Sequence, residues 1–138
     1  MIAAVCAWHE RHDDAAQAIH VRFDRGDRLA IAAHALVETY AVLTRLPAPH
    51  RLAPAVAWAL IDANFVKHAT VAMLTARGQV ALLRRLAGEN VSGGRSYDAL
   101  IAETARRSGA GEILTLNPRH FESLAQGGVV IIDPSAAA

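Results

Sequence analysis

The sequence predicts an α/β fold in which helices cover both faces of a short, mostly parallel β-sheet. The chain has 138 residues, of which 53% are hydrophobic, and this suits one domain with a substantial core. Short apolar runs of strand length alternate with longer segments of helical pattern, and Gly and Pro residues separate them. Such alternation is typical of a parallel sheet buried between two layers of helices.

Each element has its own signal in the sequence. The apolar runs predict strands at residues 29–32, 70–74, 113–116 and 129–132. Apolar spacing and helix breakers predict helices at residues 2–23, 35–46, 54–65, 75–87, 97–108 and 118–124. Pro54 is expected in the first turn of the third helix, and Ser96 is expected as the N-cap of the fifth. We expect residues 1–134 to form a single domain and residues 135–138 to form a C-terminal tail.

Charge and composition exclude several classes of protein. The net charge is only +1, so overall charge favours no partner. Cys6 is the only cysteine, which excludes an intramolecular disulfide and a cysteine-based metal site and fits a reducing compartment. No uncharged apolar run approaches the roughly 18 residues that a membrane span needs, and the first residues do not resemble a signal peptide. We therefore expect a cytoplasmic protein without a membrane partner.

Several segments, taken in order, resemble one family. They are residues 93–102 (GGRSYDALIA), then Gly109-Ala110 and residues 113–121 (ILTLNPRHF). Upstream of these lie residues 35–47 (ALVETYAVLTRLP) and residues 8–12 (WHERH). Together they resemble the PIN-domain ribonucleases, and among these most closely the VapC-type toxins of toxin–antitoxin pairs. The ordered set covers nearly the whole chain.

The resemblance implies a PIN-like, three-layer α/β/α sandwich and a Mg²⁺- or Mn²⁺-dependent endoribonuclease. In that family, carboxylates hold the metal, which activates water against an RNA phosphate, and such hard cations require oxygen ligands. The resemblance assigns catalysis to Glu38 and Asp98, which bind the metal together with Asn117. It also implies an RNA substrate, a cognate antitoxin protein and a homodimer.

The two acidic residues can also be interpreted without any chemistry. Asp98 falls in the first turn of a predicted helix, where the positive end of the helix dipole stabilises an anion. It could be a helix-start acid and nothing more, and Glu38 could simply face solvent from an apolar helix. Glu103 lies five residues after Asp98, about 140° further round the helix, so the two cannot share a face. We expect Glu103 to be solvated and to lie outside the site.

The residues around the third predicted strand are the remaining candidates. Asn117 stands where the family usually has another acid, and its amide oxygen can ligate a hard metal without contributing charge. It could equally be a turn residue before Pro118. Thr115, Arg119 and His120 are candidates for substrate binding, since Arg makes bidentate contacts with phosphate. Alternatively, Thr115 is only a strand residue, and Arg119 and His120 are a solvated pair in a loop.

The chain departs from the family pattern at its beginning. The family starts with a strand that carries an Asp and lies at the centre of the sheet, whereas this chain starts inside the following helix. We expect that strand to be missing and the natural start to lie upstream of Met1. The absent acid and the neutral Asn117 leave an alternative, an inactive remnant that binds antitoxin or RNA without cleavage. A nucleotide-binding protein ranks last, because the Gly109-Ala110-Gly111 segment follows a helix.

Overall fold

A computed structural model describes residues 1–124 and 127–136 of the chain. The chain divides into two compact units, one of residues 1–71 and one that begins at Ala72. In chain order the elements are α1 (Ile2–Val5), α2 (His12–Asp24), β1 (Leu29–Ala32), α3 (Ala33–Arg45), α4 (Pro54–Ile61), a π-helical turn (Asp62–Val66), β2 (Ala69–Ala72), α5 (Ala76–Gly88), α6 (Arg95–Arg107), β3 (Glu112–Leu114), α7 (Pro118–Glu122), β4 (Val130–Ile132) and a short 3-10 turn (Pro134–Ala136).

The first unit is built around the pair of helices α3 and α4. Strand β1 leads directly into α3, and Ala32 both ends the strand and caps the helix in an extended conformation. Pro54 begins α4, as predicted, because a first-turn residue needs no N–H for the helix. The core of this unit contains Cys6, Leu43, Ala57 and Ile61, all buried. Strands β1 and β2 pair in a two-stranded sheet.

The prediction of one helix over residues 2–23 is wrong, because the chain forms α1 and α2 with a turn between them. Cys6 adopts an extended backbone at the end of α1. His9 then accepts the N–H of Arg11 at its Nδ1, 3.1 Å away, and so offers the backbone an alternative to a helical hydrogen bond. His12 Nδ1 lies 2.8 Å from the Ala3 carbonyl oxygen, which joins the start of α2 to α1.

The second unit contains helices α5, α6 and α7 and one parallel pair of strands. Strands β3 and β4 pair in parallel, with Ile113 opposite Ile131 at the centre of the register. The Val130 N–H donates to Gly111 and the Thr115 N–H donates to Ile132, which extends the ladder at both ends. The core of this unit consists of Leu74, Leu82, Leu86, Ala99, Ala102, Ile113, Phe121 and Leu124.

Helix α6 begins earlier than the sequence predicted. Gly94 is its N-cap and Arg95 its first residue, so Ser96 lies inside the first turn and is not the cap. The Ser96 hydroxyl instead donates to the Gly93 carbonyl oxygen at 2.8 Å. Gly93 has a φ of +61°, which glycine adopts without steric cost and which lets the chain turn into the helix one step sooner.

The remaining predicted helices and strands are confirmed to within a few residues. Helices, short strands and a parallel pair confirm an α/β fold, and the described strands form two two-stranded sheets. The three-layer sandwich and its missing central strand stay predictions. The predicted tail, residues 135–138, begins within the 3-10 turn, and its last two residues lie outside the described residues. Within residues 1–124 and 127–136, no helix is both long and apolar enough to cross a membrane.

Replacing Leu43 by Ala is expected to destabilise the protein strongly. Leu43 is completely buried, and removing its side chain leaves a cavity that costs about 2–5 kcal/mol of unfolding free energy. Val37, on the same helix, is 67% exposed, so Val37→Ala is the matched control and should change the free energy by about 0.5 kcal/mol or less. Urea denaturation measures both values, and equal effects would contradict this description of the core.

Candidate functional site

The first turn of α6 carries Asp98, the stronger of the two acidic candidates. Ala99 and Ala102 are buried in the core of the second unit, and they fix which side of the helix faces inward. Asp98 precedes this buried face, and its side chain is 23% exposed. The prediction that Asp98 lies in the first turn of its helix is confirmed, and the positive end of the helix dipole stabilises its negative charge there.

Helix α7 brings a second predicted residue to Asp98. The Nδ1 atom of His120 lies 3.4 Å from the Oδ2 atom of Asp98, and the imidazole is 59% exposed. The two form an ion pair only when the imidazole is protonated. Helices α6 and α7 pack against each other through Phe121, which is buried one residue after His120. The core contact therefore holds the backbone of His120 next to α6.

The turn between β3 and α7 contains the other two predicted polar residues. Asn117 is the N-cap residue of α7 and is exposed, and its carbonyl oxygen accepts the His120 N–H at 3.0 Å. The Thr115 hydroxyl accepts the Asn117 N–H at 3.1 Å. Thr115, Asn117 and His120 thus form one connected turn. Arg119 lies on α7 next to His120 and is exposed.

Arg95 is a residue of this region that the sequence analysis did not single out. Its guanidinium donates to the Ser123 hydroxyl at 2.7 Å and so joins the start of α6 to the residue after α7. Arg95 precedes Asp98 by three positions, one turn of the helix. The only signal in the sequence was an Arg in the Gly-rich segment before Asp98, and nothing local indicated a partner 28 residues away.

Glu38 lies in the first unit, whereas the other predicted site residues lie in the second. It is exposed on α3, and the buried Thr39 follows it. Burial lowers the pKa of the Met1 amino group, while the nearby Cys6 thiol and Glu38 carboxylate act to raise it. The next residue, Thr39, places its hydroxyl 3.5 Å from the Met1 sulfur, so this part of α3 lies beside the beginning of the chain. That Glu38 shares a metal ion with Asp98 stays a prediction.

The donor atoms of the second unit suit a hard cation. Asp98 supplies a carboxylate and Asn117 an amide oxygen, and Mg²⁺ commonly binds one or two such groups, water and substrate phosphates. Among the residues that the structure describes, no group of three or more His, Cys, Asp or Glu side chains could hold a metal ion. The fit therefore rests on the oxygen chemistry of these residues and not on a complete cage.

The expectation that Glu103 is solvated is wrong. Its side chain is only 11% exposed, and Arg106 binds it with both Nε and Nη2, at 3.1 and 2.7 Å. Arg107 Nε donates to the same carboxylate at 2.7 Å, and Arg85 lies 3.6 Å away. The hydrogen bonds from Arg106 are the largest cause that lowers the pKa of Glu103 to about 2. Burial opposes this effect, and the hydrogen bond from Arg107 adds to it.

Comparison with known proteins identifies the family. The family model described as PIN domain matches residues 1–126. The chain belongs to the PIN-domain family. Ribonuclease VapC40 of Mycobacterium tuberculosis, from strain CDC 1551 / Oshkosh and from strain H37Rv, is 41% identical over 124 residues, which are 89% of this chain and 85% of the relative. Ribonuclease VapC27 of strain H37Rv is 40% identical over 103 residues, 75% of this chain and 72% of the relative.

These relatives make this chain a PIN domain of the VapC type. No solved structure matches it. The match to the PIN domain, residues 1–126, includes residues of both compact units. The resemblance predicted from the sequence is therefore confirmed at the level of the family.

Replacing Glu103 by Gln in this PIN domain is expected to lower the unfolding free energy by about 1–3 kcal/mol at pH 7, because the hydrogen bonds to a charged group are weakened. The folded pKa of Glu103, about 2, lies below its unfolded value, so the charge stabilises the fold above about pH 4.3. That contribution disappears as the pH falls from about 4.3 towards 2. The difference between the parent and Glu103→Gln should therefore shrink over this range.

Urea denaturation between pH 7 and pH 3 measures this dependence. Glu89→Gln is the control, because Glu89 is 43% exposed and pairs only with Arg85 among the ion pairs of the described residues. An exposed pair of this kind contributes less than about 1 kcal/mol. A Glu103→Gln difference that stays constant with pH would show that its carboxylate is not stabilised by the arginines.

Proposed function

We propose that this chain is a Mg²⁺- or Mn²⁺-dependent endoribonuclease and the toxin of a toxin–antitoxin pair. The observation that carries the proposal is 41% identity, over 89% of the chain, to proteins named ribonuclease VapC40. The matched residues extend through the segment with Asp98, His120 and Asn117, since the PIN domain covers residues 1–126. The reaction would be hydrolysis of a phosphodiester bond in RNA.

Asp98 and Asn117 would hold the metal in the second unit, and the family resemblance also assigns Glu38 to metal binding. The bound cation would act as a Lewis acid and as a counter-charge for the phosphate. Asp98 would provide the negative charge, and it lies in the first turn of α6, where the positive end of the helix dipole favours an anion. Thr115 holds the Asn117 backbone, so that the amide side chain projects from a fixed turn.

The exposed residues of α7 would bind the RNA. Arg119 and His120 are both exposed and lie next to the turn of Asn117, where a phosphate bound near Asp98 would meet them. Arg offers a planar fork for phosphate oxygens, and a protonated imidazole has two charged N–H donors, so that Nε2–H can reach a phosphate while Nδ1–H faces Asp98. The contact between His120 and Asp98, at 3.4 Å, couples the substrate-binding side chain to the carboxylate.

Two protein partners follow from the proposal, a cognate antitoxin and a second copy of this chain. Exposed apolar side chains support both, since Val56 and Trp58 on α4 and Val37 on α3 are each more than half exposed. A contiguous patch of exposed apolar side chains is typical of a protein–protein contact surface. RNA cleavage would take place in the cytoplasm, where the substrate is found.

The substitution Asp98→Asn is expected to reduce RNA cleavage by about 100-fold or more. Replacing groups that merely support a metal ligand already costs roughly 10–100-fold, and this change removes the charge of a ligand itself. Glu122→Gln is the control, because it changes an exposed acid on the neighbouring helix α7 in the same chemical way. Gel analysis of a labelled RNA measures cleavage, and equal activity of the parent and Asp98→Asn would exclude Asp98 from the reaction.

Removal of divalent metal is expected to abolish cleavage, and addition of Mg²⁺ or Mn²⁺ is expected to restore it. Ca²⁺ serves as a comparison, since it prefers more ligands at longer distances than Mg²⁺ does. Cleavage that persists in excess chelator would contradict metal dependence. Binding of RNA without cleavage, with either metal present, would instead favour an inactive PIN domain.

A further inference from the structure

A basic pocket lies between α5, α6 and the segment at Gly127, within the second unit. Its volume is about 380 Å³, and it is lined by Ala81, Leu82, Arg85, Glu103, Arg106, Arg107 and Gly127. None of the predicted site residues lines it. The pocket is partly open to solvent, because Arg106 is 39% and Arg107 is 52% exposed at the side chain.

The arginines of this pocket are held in place by two carboxylates, since Glu103 binds Arg106 and Arg107 and Glu89 binds Arg85 at 3.3 Å. Glu103 receives hydrogen bonds from Arg106 and Arg107 at 2.7–3.1 Å, and Arg85 lies 3.6 Å from it. Gly127 lies beside the Arg106 side chain, since a Cβ there would come within 3.2 Å of it. The guanidinium groups are thus oriented before any ligand binds, which reduces the entropy lost on binding.

The pocket keeps positive charge and free donors after its internal pairs are made. Three guanidinium groups face the carboxylates of Glu103 and Glu89, so the cluster has a net charge of +1. Each guanidinium has five N–H donors. Among the hydrogen bonds between described residues, Arg106 uses two of them and Arg107 uses one. The remaining donors, in a fork geometry, suit the oxygen atoms of a phosphate group.

We propose that the pocket of Arg85, Arg106 and Arg107 binds a phosphate group, either in an RNA backbone or as a free phosphate. An RNA backbone is the source that we favour, which rests on the proposed function. The arginines act as an anchor outside the cleavage site, since Arg107 follows Asp98 by nine positions, about 13 Å along the helix and on its opposite side. The path around α6 from Asp98 to Arg107 is roughly 20 Å long, which is the length of about six stacked nucleotides.

The anchor predicts a dependence on RNA length. Arg107→Gln is expected to weaken binding of a 20-nucleotide RNA by about 3–10-fold, measured by fluorescence anisotropy in excess chelator, and to reduce the salt slope by about 1. Arg107→Lys, which keeps the charge but not the fork, should lose less. Cleavage of a four-nucleotide RNA with Mg²⁺ should be unchanged by either substitution. Arg84→Gln is the matched control, since Arg84 is exposed on α5 and does not line the pocket.

Titration with inorganic phosphate distinguishes a site for an RNA backbone from a site for free phosphate. The Nε–H signals of Arg106 and Arg107 should shift on titration, and Arg107→Gln should abolish the response. If phosphate shifts these signals but the substitution leaves binding of the 20-nucleotide RNA unchanged, the ligand is a free phosphate. Equal effects of Arg107→Gln and Arg84→Gln on RNA binding, without a response to phosphate, would overturn the proposal. Competition by a poly-glutamate peptide, without binding of phosphate or RNA, would overturn it in favour of an acidic protein segment.

The outcome for the pocket is separate from the outcome for the proposed function. If the parent protein cleaves no RNA, the proposed function fails, while phosphate and RNA binding still decide the pocket. If the parent cleaves RNA and Arg107→Gln binds the 20-nucleotide RNA and phosphate normally, the pocket proposal fails alone. Thermal unfolding of each variant ensures that a loss of binding is not a loss of fold.

Discussion

The packing of helix α6 determines where its two acidic side chains, Asp98 and Glu103, lie. Ala99 and Ala102 are buried against the core, so the rotation of the helix about its axis is fixed. With that rotation fixed, Asp98 points towards α7 and His120, and Glu103 points towards α5 and Arg85. Small alanine side chains allow the close packing that this requires. One buried face therefore positions a candidate site at the start of the helix and an arginine cluster at its end.

The two carboxylates of α6 have different surroundings and therefore different roles. Asp98 is 23% exposed and has one histidine beside it, which leaves its oxygens accessible to a ligand. Glu103 is 11% exposed and is enclosed by arginines, which lower its pKa to about 2 and satisfy its oxygens. A carboxylate that is already bound by several guanidinium groups is a poor metal ligand but a good organiser of those groups. The same functional group is thus open to a ligand at Asp98 and orients arginines at Glu103.

The sequence predicted the family and most of the elements because these depend on local pattern. Apolar runs, Pro54 and the Gly-rich segment before Asp98 are signals that neighbouring residues produce together. The prediction of a single first helix failed because the ring of His9 accepts the Arg11 N–H, and a helical pattern does not reveal such a competing acceptor. Ser96 was predicted as a cap because its residue type suits one, yet Gly93 and Gly94 let the helix start earlier.

The sequence by itself determined that this chain is a PIN domain with an acid at the start of α6 and polar residues after β3. Only the tertiary structure decided which of these meet. It joined His120 to Asp98 and Arg95 to Ser123, and it gathered Arg85, Arg106 and Arg107 around Glu103. The physical reason is that a motif records residue types along the chain. Contacts between helices depend on how their buried faces are rotated against each other, and that is set by the packing of the whole core.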